Sequence, residues 1–534
     1  MKIHSKHCLS YLGRVSCLPL LWVYFCFTPS VALASSSVNV PLDSWVYEAL
    51  DRLEGYGLID SALTGTKPYT KLEVARLIGE AMEKWQAAEA GRKISGFAAR
   101  ELIPFLLERF KTEFRAELVD SGFLEGSKSA TYLKPVDEVV MKYLFQTDNP
   151  IVRPQAANPP THTIYPIYNN DGIVYRKQNN FSADLRGEAR LWNHISFYYQ
   201  PIFKAFENEG AQVDLEKGYV KAEAFNVELE AGRDSLWYGP GYNGGLLMTN
   251  NARPFDLLKL SNPRPFSIPL IGLFKFNAFV TRLDYEAPSI PHPTLSGLRL
   301  NFKPHPLVEF GISENAIFGG EGRGGQSVGD VFRILFGNEN PEGNLASNKQ
   351  LAIDLSFRWP NFDRILPIGR SWKIYGEVGA QDSGFPPDKR AWLVGISLYD
   401  LLLTGRMDLR VEYARTAIKN SSFSWYTHPE YPALFHDRVF GHHMGSNAEN
   451  VFARLSIHLS PEFRLGIDFN AEAQGISDAS RTDSRQCGVD LDYYVRKQIS
   501  VKGRYIINWF EDREGIAGGN ATQHFLGMEF RKRF

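Results

Sequence analysis

The chain is poor in cysteine, and three of its four cysteines, Cys8, Cys17 and Cys26, fall in the first 34 of 534 residues. The rest keeps only Cys487, which excludes an internal disulfide framework and a cysteine-based metal centre. Long apolar runs are also missing. Beyond residue 34 no stretch reaches the roughly 20 apolar residues that a membrane-crossing helix needs. Charge of one sign is not in excess either: 59 Lys and Arg stand against 60 Asp and Glu, so no basic field invites nucleic acid. No cofactor signature is present, and no H-E-x-x-H spacing marks a metal site.

The first 34 residues read as a secretory signal. Lys2, Lys6 and Arg14 make a basic start, an apolar stretch runs to Val31, and Ala32-Leu33-Ala34 offers a small-x-small cleavage site. The bulky Phe25 before Cys26 argues against a lipid-modified cysteine. Export without disulfides and without a membrane helix leaves a closed barrel as the way to sit in a membrane.

Residues 35–128 are expected to form a small helical periplasmic module. Leu42, Trp45, Val46, Ala49, Leu50 and Leu53 recur at three and four, with Asp43 or Ser44 as cap and Gly55 and Gly57 as stop. Thr70 and Glu73 fit a capping box for a second helix to Trp85. A third is expected over 94–114.

From 129 to 534 the period changes to two. Leu351, Ile353, Leu355 and Phe357 face one way, and Ala352, Asp354, Ser356 and Arg358 the other. Val451 to Leu459 and Val489 to Val495 alternate likewise. Short turns at Pro304-His305-Pro306 and Ser460-Pro461-Glu462 alternate with long polar connections over 318–348 and 417–449. A soluble β-sandwich would also alternate. The long segments, the short-long rhythm of the connections and a final strand ending on Phe534 favour an all-β membrane protein: an antiparallel transmembrane β-barrel of about 16 to 18 strands. On that last strand Leu526, Met528, Phe530, Lys532 and Phe534 share a face, and only Lys532 breaks the apolar pattern. A terminal aromatic on such a strand is similar to the signal read by barrel-assembly machinery, which makes that machinery and outer-membrane lipid expected partners. Asp184, Arg186, Glu188 and Arg190 fall on the inner face, where opposite charges pair across strands.

The densest motif runs from Glu230 to Phe255. It holds Gly232, Arg233, Trp237, Gly239, Pro240, Gly241, Asn251, Arg253 and Pro254. Its glycines permit unusual backbone angles, and its aromatics and amides are residue types that stack on and hydrogen-bond to sugars. Two uses follow: a loop folded into the lumen, or direct ligand contact. A second loop carries Trp425, Tyr426, Tyr431, Phe435 and Arg438 beside His428, His436, Asp437, His442 and His443. Its aromatics either pack the loop on itself or stack on sugar rings. Trp425, Tyr426 and Arg438 are the candidate glycan contacts.

The block from Gly232-Arg233 through Trp237–Gly241 to Asn251-Ala252-Arg253-Pro254, with the opening Val40–Tyr47, resembles the Wzi-like capsule assembly proteins of the bacterial outer membrane. The resemblance implies a large barrel with N-terminal helices that binds, attaches or organises surface polysaccharide without enzymatic chemistry. Tyr47–Leu53, Gly57–Ile59 and Tyr69–Leu77 also look like one S-layer homology unit, which implies contact with cell-wall polymer.

Two rivals stand beside that reading. A charged lumen suits a porin or solute channel. Gly325-Gln326-Ser327-Val328-Gly329 matches the nucleophile pattern of a hydrolase, but it sits in a glycine-rich loop and not between an apolar strand and a helix.

Overall fold

A sequence that alternates apolar and polar side chains over ten or more residues can satisfy its backbone in a membrane only by pairing strands until no edge remains. The computed structural model does this. It describes residues 35–90, 96–153, 162–164, 166–284, 290–337, 343–381, 390–418, 425–476, 481–496, 498–513, 516 and 518–534. The secretory signal expected over residues 1–34 lies outside them.

Eighteen barrel strands follow in chain order. They are β1 (Tyr132–Gln146), β2 (Gln178–Leu191), β3 (Ile195–Phe206), β4 (Gly210–Ala224), β5 (Val227–Asp234) and β6 (Phe255–Ser261). Next come β7 (Gly272–Arg282), β8 (Thr294–His305), β9 (Val308–Phe318), β10 (Ser347–Trp359), β11 (Ser371–Gln381) and β12 (Arg390–Tyr399). The last are β13 (Met407–Arg415), β14 (Ala448–His458), β15 (Phe463–Gln474), β16 (Thr482–Arg496), β17 (Ile499–Glu511) and β18 (Ala521–Arg533). Each pairs antiparallel with the next, and β1 closes the ring on β18 from Glu138↔Arg533 to Gln146↔Phe525. This is an all-β closed barrel, and it fixes the expected range of strands at its upper end.

The alternation resolves into lipid-facing and lumen-facing sides. On β10, Leu351, Ile353, Leu355, Phe357 and Trp359 are exposed, whereas Ala352, Asp354, Ser356 and Arg358 are buried. On β16, Val489, Leu491, Tyr493 and Val495 point out and Asp490 points in. Leu526, Met528, Phe530 and Phe534 do the same on and just beyond β18. Lys532 shares that outward face, with its ammonium 4.5 Å from the centre of the Phe534 ring. A cation over a terminal aromatic keeps its charge near the headgroups. Connections such as Phe225-Asn226 and Pro306-Leu307 are short at the end that holds Phe534, and they run as long as 319–346 and 416–447 at the other. That asymmetry places the short-turn end in the periplasm and the long loops outside the cell.

Among the described residues four α-helices precede β1: α1 (Val46–Gly55), α2 (Lys71–Ala90), α3 (Ile103–Glu113) and α4 (Arg115–Asp120). Val46, Leu53, Leu77, Ile78, Leu102, Phe110 and Phe114 form their common core. α1 starts later than its apolar spacing suggests, with Trp45 at the cap position and no side-chain cap bond. Of the two expected caps, Asp43 is drawn instead to Arg186 at 3.0 Å and Arg531 at 2.9 Å on the barrel wall, and Ser44 accepts from the Val46 amide only at 3.4 Å. Thr70 does cap α2, accepting from the Glu73 amide at 3.1 Å, but the Glu73 carboxylate turns to Arg76 and leaves the box half closed. The third expected helix runs without a break from 96 to 113, widening to a π turn at Ala98–Leu102 before α3.

Candidate functional site

The helices are bolted into the short-turn end of the lumen by ion pairs with the wall. Glu54 takes Lys373 at 3.0 Å and Lys303 at 3.2 Å. Lys71 sits between Asp137 at 2.9 Å and Glu188 at 2.7 Å. Asp51 meets Arg410, Asp60 meets Arg358, and Glu113 meets Arg533. Burial alone would raise the Glu54 carboxyl, but Lys373, Lys303 and Arg358 overcome it and hold the group below the usual carboxylate range. The segment after α1 reaches deeper. Glu309 accepts from the Gly65 amide at 2.8 Å, and Thr66-Lys67 forms a two-residue antiparallel bridge with Trp237-Tyr238. Lys67 lies over Tyr47 and Trp237, 5.6 and 5.4 Å from their ring centres, and burial pushes its ammonium down to about 8.

That bridge joins the helices to the 230–256 motif. Its first residues belong to the wall. Gly232 adopts φ +135°, and a Cβ there would lie 2.3 Å from the Gly218 carbonyl. Arg233 faces outward and grips Asp256 of the neighbouring strand through two bonds of 2.8 Å. From Leu236 to Ala252 the chain leaves the wall and is buried almost throughout. Gly239 (φ +97°) donates its amide to Gly65 at 3.0 Å, with a Glu377 oxygen 2.7 Å from where a Cβ would stand. Gly241 likewise has no room, with the Gly244 carbonyl against it. Glu412 accepts from the amides of Tyr242 at 2.7 Å and Asn243 at 2.8 Å. Pro240 and Arg253 are half-buried, and Pro254 is buried beside Phe255.

The 425–447 segment lies against this crossing. Asn251 donates to the Val439 carbonyl at 2.8 Å, and Thr249 Oγ1 to that of Gly441 at 2.6 Å. Phe255 stacks on Phe435 at 5.0 Å and meets Phe440 edge-on. The three candidate glycan contacts are inside this packing. Trp425 and Tyr426 are fully buried and Arg438 is 1% exposed. Tyr426 donates to the Leu246 carbonyl at 2.7 Å and accepts from the His442 amide at 3.0 Å. Arg438 donates to Asn170 Oδ1 at 3.1 Å and to the Ile173 carbonyl at 2.8 Å. The structure therefore brings the two candidate segments together, and presents neither the rings nor the guanidinium to solvent.

The histidines divide. His436 and Asp437 occupy the exposed tip of a tight hairpin between Leu434-Phe435 and Arg438-Val439, both with positive φ. His443 stacks on Tyr168 at 3.6 Å and meets Asn243 at 3.1 Å. His442 packs against Gly244, and burial drives its imidazole down to about 3. His428 Nδ1 accepts from the Glu430 and Tyr431 amides. Among the described residues no group of three or more His, Cys, Asp or Glu side chains is gathered for a metal.

One local expectation is corrected. Ser327 does precede a helix, α5 (Val328–Phe336), but as its N-cap: it accepts from the Asp330 amide at 3.2 Å and donates to the Asp330 carboxylate at 2.7 Å. The glycines around it hid a capping box.

The comparisons agree with this architecture. The family described as capsule assembly protein Wzi matches residues 157–522. A solved structure of Wzi from Escherichia coli, an outer-membrane protein involved in group 1 capsule assembly and described as a carbohydrate-binding β-barrel, superposes with a TM-score of 0.66. It covers 92% of this chain and 99% of that one at 16% identity, a likeness of fold. An uncharacterized 55.8 kDa protein in the cps region of Klebsiella pneumoniae is 26% identical over 198 residues. That stretch spans 35% of this chain and 38% of the relative's length. With more than half its length matched by one family, the chain belongs to the Wzi capsule assembly family.

Proposed function

We propose that this protein binds and organises capsular polysaccharide at the cell surface, without covalent chemistry. The observation that carries this reading is the pairing of the 236–252 crossing with the 425–447 loop across the outer half of the lumen. Together they make a closed platform at the long-loop end. Below it the helices fill the other end, so a solute channel is disfavoured. A hydrolase is disfavoured because the Ser327 hydroxyl is spent on its helix cap. The relative described as carbohydrate-binding has the same fold, which supports the reading.

On this proposal Trp425, Tyr426 and Arg438 shape the platform from within, and glycan contact falls to its exposed groups, beginning with His436 and Asp437. The helical module, residues 35–128, acts as a periplasmic seal. The residues that look like an S-layer unit, among them Leu50, Leu53, Leu77 and Tyr69, are spent on its core, so a wall-polymer contact would have to use other surface. A deletion strain tests the function. Loss of cell-attached polysaccharide with release of free polymer supports it; an unchanged cell-attached fraction refutes it.

A further inference from the structure

Left-handed backbone is normally left to glycine, asparagine and aspartate, because a Cβ crowds the following carbonyl. At the long-loop end the exceptions are polar where exposed, and the aromatic one, Tyr426 (φ 66°), is buried. The exposed positive-φ residues there include Gln178, Asn208, His436, Asp437 and Asp512, all polar. The short-turn end departs from this pattern. Trp192 (φ 50°), Phe225 (φ 55°), Leu270 (φ 68°), Leu402 (φ 58°) and Leu403 (φ 54°) are all left-handed, bulky and apolar. Their exposures are 68%, 81%, 104%, 62% and 40%. The ordinary choices sit beside them: Asn193 and Asn226 take the next left-handed position in their turns, and Asp400 precedes Leu402. These five residues therefore accept backbone strain together with hydration of the 40% to 104% of their surface that the protein leaves exposed.

The five occupy four separate turns, β2–β3, β4–β5, β6–β7 and β12–β13. Unstrained apolar side chains continue the rim: Ile365 and Leu366 between β10 and β11, Leu459 between β14 and β15, and the terminal Phe534 are 64%, 44%, 50% and 58% exposed. A protein partner would cover one arc of such a rim, whereas a bilayer meets all of it at one height. The tips are also continuous with the lipid-facing belt, since Phe197, Leu229, Leu260 and Trp359 point outward a few residues from them.

We propose that these turn tips form an apolar ring seated in the phospholipid interface of the periplasmic leaflet, fixing the depth and tilt of the barrel. Exposed bulky apolar groups are favoured at that boundary. Lipid then relieves the cost of leaving them in water and offsets the strain of their backbone. The proposal concerns the membrane seat alone and is independent of any glycan.

Two measurements test it. In a Cys487→Ser background, an environment-sensitive fluorophore is placed through Phe225→Cys, Leu402→Cys or, at the opposite end, Asn208→Cys, and the protein is reconstituted in phosphatidylethanolamine–phosphatidylglycerol vesicles. Probes at 225 and 402 are expected to emit blue-shifted light, to be quenched by lipids brominated near the headgroup, and to be several-fold less sensitive to aqueous iodide than the probe at 208. Water-like emission with iodide sensitivity equal to that at 208 overturns the proposal. The second readout is a sign. Leu270→Asn and Phe225→Asn suit left-handed backbone, so if the tips stand in water the variants unfold at a higher temperature in vesicles. A lower midpoint is expected, and a rise or no change overturns the proposal.

Discussion

The guanidinium of Arg438 donates to the backbone carbonyl of Asn251 at 3.3 Å, tying together two segments 187 residues apart. Through this bond and its neighbours the motif loop and the histidine-rich loop act as one body.

Arg438→Met tests that coupling. The variant leaves the buried carbonyl of Asn251 without its Arg438 donor, a loss of about 1–3 kcal/mol, while Ile173 keeps the Asn170 amide. The 425–447 loop should become the first site of limited proteolysis while the barrel keeps its heat-modifiable migration. An unchanged digestion pattern would show that the loops are held elsewhere.

Acid should loosen the same platform. Burial holds the His442 imidazole at about 3, well below its ordinary 6.5. Between those values an opened loop takes up a proton that the closed one refuses. The stabilisation is therefore complete above pH 6.5 and is lost as pH falls toward 3, by at most about 1.4 kcal/mol per pH unit. Amide exchange over 425–447, read at pH 7 and pH 5, should show this opening, and His442→Gln should flatten it. Protection independent of pH in the parent protein contradicts the assignment.

How much of this was legible beforehand follows from the range of each interaction. The barrel was readable because lipid outside and charge inside impose a period of two on neighbouring residues, as on Leu351–Arg358. The end of the β8–β9 hairpin at Pro306 and the cap at Thr70 were readable for the same local reason. The missed cap at Asp43 was not, since its partners Arg186 and Arg531 lie 143 and 488 residues away. Trp425, Tyr426 and Arg438 carry the composition of a binding surface, and nothing local says that the 236–252 crossing buries them.

The helical seal should fail at Glu54. Glu54→Gln removes the anion shared by Lys303 and Lys373: Lys373 keeps Asp51 at 3.5 Å, but Lys303 is left buried without an anion, a change that costs about 3–5 kcal/mol when a buried pair is broken. The parent protein is expected to be silent in planar bilayers, and the variant to show intermittent conductance. A steady open pore in the parent would overturn the closed lumen.

Gly232 should tolerate no side chain. Gly232→Ala places a Cβ against the Gly218 carbonyl at a φ that alanine rarely adopts. The yield of heat-modifiable barrel should fall sharply. Gly503→Ala, where the same addition meets open space, should leave it unchanged.

The central claim is that the closed platform presents a surface that binds capsular polysaccharide. Its most direct test is titration of the purified barrel, in detergent, with the capsular polysaccharide of its own host, followed by calorimetry or co-sedimentation. Saturable binding is expected, weakened several-fold by the double variant His436→Ala, Asp437→Ala with its heat-modifiable migration intact. No binding of that polysaccharide by correctly folded protein would contradict the account.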